Sequence, residues 1–327
     1  MLADAARPGH ANQAIGTAEA LGLPFTVKEL RWSGLGSLPN GLLGRSLAGL
    51  TPGSAAVIEP PWPTLVIAAG RRTAPVARWI RGRAGACRCV QLMWPGSGDG
   101  LDLVVVPAHD HASRRSDVAV VRAMPHRLSA ARLAAASARL APQIAHLPRP
   151  LIGCLVGGSR PGAAFGAAEA TALGQAASAL ARAAGGSLLV ATSRRTGSVA
   201  EQALSRCLNG PHRLHLARDT GLDTYSGIVG SADGLIVTAE SGSLLAEACA
   251  AGRPVRLFRP AGWRLGKLDR LHRTLAAWIR PLDAPFRQEA LPRLDTGGEV
   301  ARLVEALLAM SPAQPHVLAA MQHESMA

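Results

Sequence analysis

Apolar positions along the chain fall into short, nearly continuous runs separated by longer stretches of helical period, and this alternation recurs from one end to the other. Residues 65–69, 89–93, 103–106, 151–156, 188–191 and 235–237 are such runs, rich in Val, Ile and Leu. A strand covered by helices on both faces has this look, because neither side of it meets water. Residues 25–30 alternate instead and predict a further strand, and Pro254 opens another that ends at Phe258. Helices are predicted over 14–21 (closed by Gly22), 74–80, 129–140, 163–184, 244–250 (ended by Gly252), 267–278 and 297–310. Residues 4–13 contain Pro8-Gly9 and are expected to form a loop, which leaves only residues 1–4 for a first strand. That strand is either very short or begins upstream of the sequence as given. Residues 225–229 are expected to form a loop or short turn, well placed to contact a base.

Strand and helix alternate twice over, which predicts an α/β protein of two Rossmann-like domains with parallel sheets. At 327 residues the chain suffices for two well-buried cores. The pattern changes to Ala-rich helix between residues 122 and 149, and the proline-bracketed stretch 146–150 is expected to link the domains. The expected division is residues 1–147, 148–285, and a last segment, 286–327, made of one helix and a frayed tail.

Charge narrows the partners. Thirty-five Lys and Arg against 22 Asp and Glu give a formal +13, which suits nucleotide diphosphates, phospholipid headgroups or nucleic acid. Scattered arginines, one Tyr and four Phe argue against nucleic acid, for which stacking aromatics are the usual tool. None of the five cysteines forms a CxxC pair, which predicts packed, reduced thiols. The first residues lack an apolar core of the signal-peptide kind, and no window of about 18 residues is uninterruptedly apolar. A cytoplasmic protein is expected, with a peripheral place on the inner face of an anionic membrane compatible with its charge.

The candidate chemistry lies where predicted strands run into predicted helices. Ser241-Gly242-Ser243 follows one strand and opens a helix, whose free N–H groups and dipole suit a phosphate. Ser243 and Glu247, four apart, share a helix face, so the carboxylate can accept hydrogen bonds from a ribose one turn behind. Gly157-Gly158-Ser159 ends another strand, where glycine lets backbone approach an anion. At the end of a third, Ser193, Arg194, Arg195 and Thr196 set two hydroxyls around two guanidiniums, a fit for a diphosphate. In the first half, Arg71 and Arg72 follow a strand and suit an anionic acceptor. His109-Asp110-His111 invites a metal, yet two histidines two apart need a third ligand that nothing fixes, and no metal is expected.

The stretches RPGHANQ, AAGRRTAP, VQLMWP, LVVVPAHD, TSRRT and TAESGSLLAEACAAGRPV occur in this order. Together they resemble the bacterial branch of the family founded on the plant mitochondrial-fission factor whose loss elongates mitochondria. Its bacterial members are treated as GT-B glycosyltransferases, and the last stretch also resembles the donor signature of the lipid-intermediate N-acetylglucosaminyltransferase group. The resemblance implies a GT-B-like fold, two Rossmann-like domains facing across a cleft with the last helix crossing back to the first, in which Ser241 and Ser243 face a diphosphate and Glu247 a ribose. It places His10, at the end of a glycine-containing loop, as the general base, with Asn12, Gln13, Arg71, Arg72 and His109 toward the acceptor. The implied reaction moves a sugar from a nucleoside diphosphate sugar to a hydroxyl, such as that of an envelope glycan or lipid, with helix-end amides and Arg194 or Arg195 steadying the leaving diphosphate in place of a metal. No cofactor beyond the donor is implied. Two alternatives stand: a non-catalytic GT-B-like scaffold for a protein or membrane partner, and a nucleotide-sugar epimerase.

Overall fold

The computed structural model describes residues 1–110, 115–219 and 221–310. It divides into two compact units: residues 1–127 together with the chain from residue 295 onward, and residues 128–294.

The first unit runs β1 (Leu2–Asp4), α1 (Pro8–Leu21), β2 (Lys28–Leu30), α2 (Asn40–Leu43), α3 (Pro52–Ala56), β3 (Leu65–Ala69), α4 (Ala74–Ala84), β4 (Arg88–Leu92), β5 (Leu103–Pro107) and β6 (Val118–Val121). Its six strands are parallel, in the order β2-β1-β3-β4-β5-β6. Side chains alternate across this sheet as the pleat demands. Val66, Ala68, Val104 and Val106 pack with Val76 and Ile80 of α4 on one face; Ile67, Ala69, Leu103 and Val105 pack with Ala14 and Ala18 of α1 on the other. Each of the larger side chains contributes about 1.5–3 kcal/mol by leaving water.

The second unit runs α5 (Ala130–Ile144), β7 (Leu151–Leu155), α6 (Ala167–Ala183), β8 (Ser187–Ala191), α7 (Ser198–Cys207), β9 (His212–His215), α8 (Leu222–Ser231), β10 (Gly234–Thr238), α9 (Gly242–Cys249), β11 (Val255–Phe258), α10 (Lys267–Thr274) and β12 (Ile279–Arg280). Its parallel order is β12-β11-β10-β7-β8-β9, the doubly wound Rossmann order with the reversal between β7 and β10. The chain then returns to the first unit as α11 (Thr296–Ala309), whose Val300, Val304 and Leu307 complete the α1 side of the first core.

Several expectations need correcting. Residues 8–13 are helix, not loop: Pro8 occupies the first helical position, where its missing N–H costs nothing and its fixed φ suits a helix. The first strand is three residues long. Asp4 closes it, its Oδ1 accepting from the Ala6 N–H (2.9 Å) and from Trp32 Nε1 (2.8 Å). Residues 225–229 lie inside α8 and not in a loop. The division falls after residue 127, not 147, because α5 packs on α8. A Cβ at Gly227 would stand 2.9 Å from the Ala136 carbonyl, and one at Gly230 2.7 Å from that of Leu133, so the absence of side chains lets the two helices touch. The return to the first unit begins at Asp295 and not at residue 286. The tail beyond residue 310 lies outside the described residues.

Candidate functional site

In doubly wound sheets the crevice for a ligand opens at the carboxyl ends of the strands where the order reverses. In the second unit that point lies between β7 and β10, and three loops meet there. The Gly157 N–H donates to Thr238 Oγ1 (2.8 Å) and the Gly158 N–H to Glu240 Oε1 (2.8 Å), which ties the β7 loop to the β10 loop. Thr196 Oγ1 donates to the Gly157 carbonyl (2.6 Å), Ser193 Oγ donates to the same carbonyl, and the Ser159 N–H reaches the Arg195 carbonyl (3.3 Å). A Cβ at Gly158 would lie 2.5 Å from the Thr196 nitrogen, and one at Gly157 would strike the Glu240 carboxylate, so both positions require glycine.

At the centre stands Glu240, which the sequence reading passed over. Its side chain is fully buried; Oε1 also lies 3.5 Å from Arg195 Nη2, its backbone carbonyl accepts from Arg160 Nη1 (3.2 Å), and Oε2 has no hydrogen-bond partner among the described residues. Burial raises its pKa, opposed by the Gly158 N–H, the Thr238 hydroxyl and Arg195. One signal in the sequence pointed to it: an acidic residue where an apolar strand gives way to a Ser-Gly-Ser turn.

The expected anion-binding groups therefore divide. Gly157, Gly158, Ser193 and Thr196 spend their donors on one another, on Thr238 and on Glu240, and Ser159 Oγ is engaged with the Phe165 backbone (2.9 and 3.2 Å). Arg194 is exposed and, among the described residues, unpaired, while half-exposed Arg195 is held only loosely by Glu240. Ser241 caps α9, its Oγ accepting from the Leu244 N–H (3.5 Å), and Gly242 makes room for Leu271 of α10. Ser243 is exposed beside that helix start. Glu247, one turn further, accepts from the Tyr225 hydroxyl (2.7 Å); burial pushes its pKa up to about 7, with the phenol opposing.

In the first unit the reversal lies between β1 and β3, and His10 is there. Its half-buried ring, in the first turn of α1, lies against Gly70 at the end of β3, where an added Cβ would stand 2.9 Å from Cε1. Burial and then Arg7 lower its pKa, against the pull of Asp4, so the imidazole is neutral at neutral pH. Asn12 is half-buried and Gln13 buried on the same helix, the latter with Oε1 unpartnered. Arg71 is turned inward: its guanidinium donates to the carbonyls of Leu38 (2.5 Å) and Ser37 (3.3 Å) and to Asn40 Oδ1 (3.1 Å), bracing the segment before α2. Arg72 keeps its charge uncommitted among the described residues. His109 is buried beyond β5, two strand spacings or roughly 10 Å from β3, and is not brought to His10. His111 lies outside the described residues.

A family model described as "Mitochondrial fission ELM1" matches residues 8–308. The chain is 26% identical over 239 residues to the mitochondrial fission protein ELM1 of Arabidopsis thaliana, covering 65% of this chain and 56% of that one, so it spans little more than half of the plant protein. It is 24% identical over 291 residues to the uncharacterized protein RP120 of Rickettsia prowazekii, covering 78% of this chain and 81% of that one. Among solved structures it resembles a Listeria monocytogenes protein provisionally named a UDP-N-acetylglucosamine 2-epimerase (TM-score 0.56, 12% identity, 93% and 94% of the chains covered). It also resembles a glycosyltransferase from Rickettsia africae (TM-score 0.50, 12% identity, 98% and 91% covered). These likenesses fix the fold as GT-B-like.

Proposed function

Because the chain belongs to the mitochondrial fission ELM1 family, of GT-B-like fold, we propose that it transfers a sugar from a nucleoside diphosphate sugar to a hydroxyl acceptor. The observation carrying this reading is the knot of three loops at the β7/β10 reversal, with Arg194, Arg195 and the start of α9 left over to meet an anion. The diphosphate would lie against those two guanidiniums and the Ser243 end of α9, and the ribose against Glu247. As the bond to the sugar breaks, negative charge grows on the departing diphosphate, and the two guanidiniums and the helix amides stabilise it more than the ground state. His10, neutral and at the other unit's reversal, is the group assigned to take the acceptor's proton. The acceptor is proposed to be an envelope glycan or lipid, met by Arg72, Asn12 and Gln13.

One observation favours the scaffold alternative: most loop donors at the reversal are already satisfied within the protein. Calorimetry separates the two. The transferase reading expects UDP, ADP or GDP to bind, with affinity lost in Arg194→Ala/Arg195→Ala, and free nucleotide to be released from the sugar donor only when an acceptor is present. Isomerisation of the donor sugar without acceptor and without net release of nucleotide would point to an epimerase. The absence of any nucleotide binding would leave the scaffold.

A further inference from the structure

Glu247 is not presented to solvent as a free surface carboxylate. It projects from α9 on the face shared with Ser243, and a phenol from a different helix, Tyr225 of α8, already holds one of its oxygens at 2.7 Å. Oε1 has no partner among the described residues, so the pair offers one fixed acceptor oxygen beside the exposed Ser243. A carboxylate with one oxygen pinned cannot swing, and its other lone pairs are aimed before any ligand arrives.

Resting on the proposed nucleotide-sugar reading, we propose that Tyr225 is a positioning residue that orients Glu247 to select ribonucleotides over deoxyribonucleotides. The hydroxyl that distinguishes the two sugars donates to Oε1 only while the carboxyl is ionised. A neutral carboxyl binds it less well, because hydrogen bonds to charged groups are the stronger ones. Burial pushes Glu247 up to about 7, and the phenol, itself raised well above its ordinary range by burial and by Glu247, stays protonated as a donor. Ribose selection therefore weakens as pH falls through about 7. Several other titratable groups on the neighbouring elements are engaged elsewhere, while Arg273 of α10 is exposed. Asp223 of α8 pairs with Arg139, Arg256 of β11 lies over Phe286, Asp269 of α10 pairs with Arg259, and His272 of α10 bonds the Ala239 carbonyl.

The test is calorimetry on the full chain with UDP, ADP and GDP and their 2′-deoxy counterparts, from pH 6 to pH 9. The wild type should prefer the ribo form by about tenfold or more at the alkaline end, and this preference should shrink toward unity at the acid end. In Tyr225→Phe the loss of the phenol donor raises Glu247 further, so the midpoint of that loss moves to higher pH; in Glu247→Gln the preference is small throughout. A carbon-13 titration of the Glu247 carboxyl in the wild type gives a reading that needs no variant: saturating ribonucleotide should lower its midpoint and deoxyribonucleotide should leave it in place. A Tyr225→Phe protein with wild-type preference and midpoint, or an unmoved Glu247 titration, overturns the role given to Tyr225 while nucleotide binding stands. Failure of every nucleotide to bind overturns the nucleotide-sugar reading itself, and this inference with it.

Discussion

Single residues decide the second unit's edge. Gly158 has φ +154 and its Cα lies against the Arg195–Thr196 backbone, so Gly158→Ala forces two loops apart. We expect a loss of at least about 2 kcal/mol in urea unfolding, the range of overpacked cores; a change under about 0.5 kcal/mol, typical of surface substitutions, would contradict the close approach. Glu247 allows a prediction with a sign. Its pKa rises from 4.5 in the unfolded chain to about 7 in the native one. The native state thus favours the protonated form, and the stability this contributes is complete below about 4.5 and lost as pH climbs to about 7. Glu247→Gln should flatten that decline by up to about 3 kcal/mol, measured as unfolding free energy against pH. At this scale the sequence was legible where chemistry is local: Ser241 and Gly157 follow closely on strands, as their neighbours implied. It was silent on partners far along the chain. Nothing near Glu240 announces Gly158 or Arg195, and nothing near Arg71 announces the Leu38 carbonyl that takes up its charge.

Secondary-structure elements were easier to foresee where burial is two-sided. Strands β3, β5, β7 and β10 read directly from their apolar runs, and α4, α9 and α11 agree with expectation to within a few residues. One edge strand escaped: β9, His-Arg-Leu-His, is polar at both ends because one side of it has no neighbouring strand, so no apolar run marks it. α8 escaped too, since its two glycines suggest a turn until α5 is seen to need them for contact. The same packing makes a prediction about α11. Leu307 fills the first core from a helix roughly two hundred residues further along the chain than the strands it covers. Leu307→Ala should cost about 2–3 kcal/mol, and limited proteolysis should show cleavage sites of the first unit becoming accessible. Protection unchanged from wild type would mean that the helix is dispensable to that core.

Charge belongs to the whole molecule. The formal +13 is spread over the sequence, and no helix among the described residues is long and apolar enough to cross a membrane. Any membrane contact by way of this charge is electrostatic. Cosedimentation with vesicles containing anionic phospholipid should be strong at about 0.05 M salt and largely lost by about 0.3 M, with neutral vesicles bare at both. Retention at the higher salt would require an apolar insertion instead.

The path of the chain has a consequence for how the protein comes into being. Residues 128–294 form one uninterrupted stretch, whereas the first unit is finished only by α11. On the ribosome the later-encoded half has all its pieces in hand while the earlier one still waits for its closing helix. The part made first is therefore the part completed last, and during that interval its sheet face beside α1 is open to other nascent chains and to chaperones.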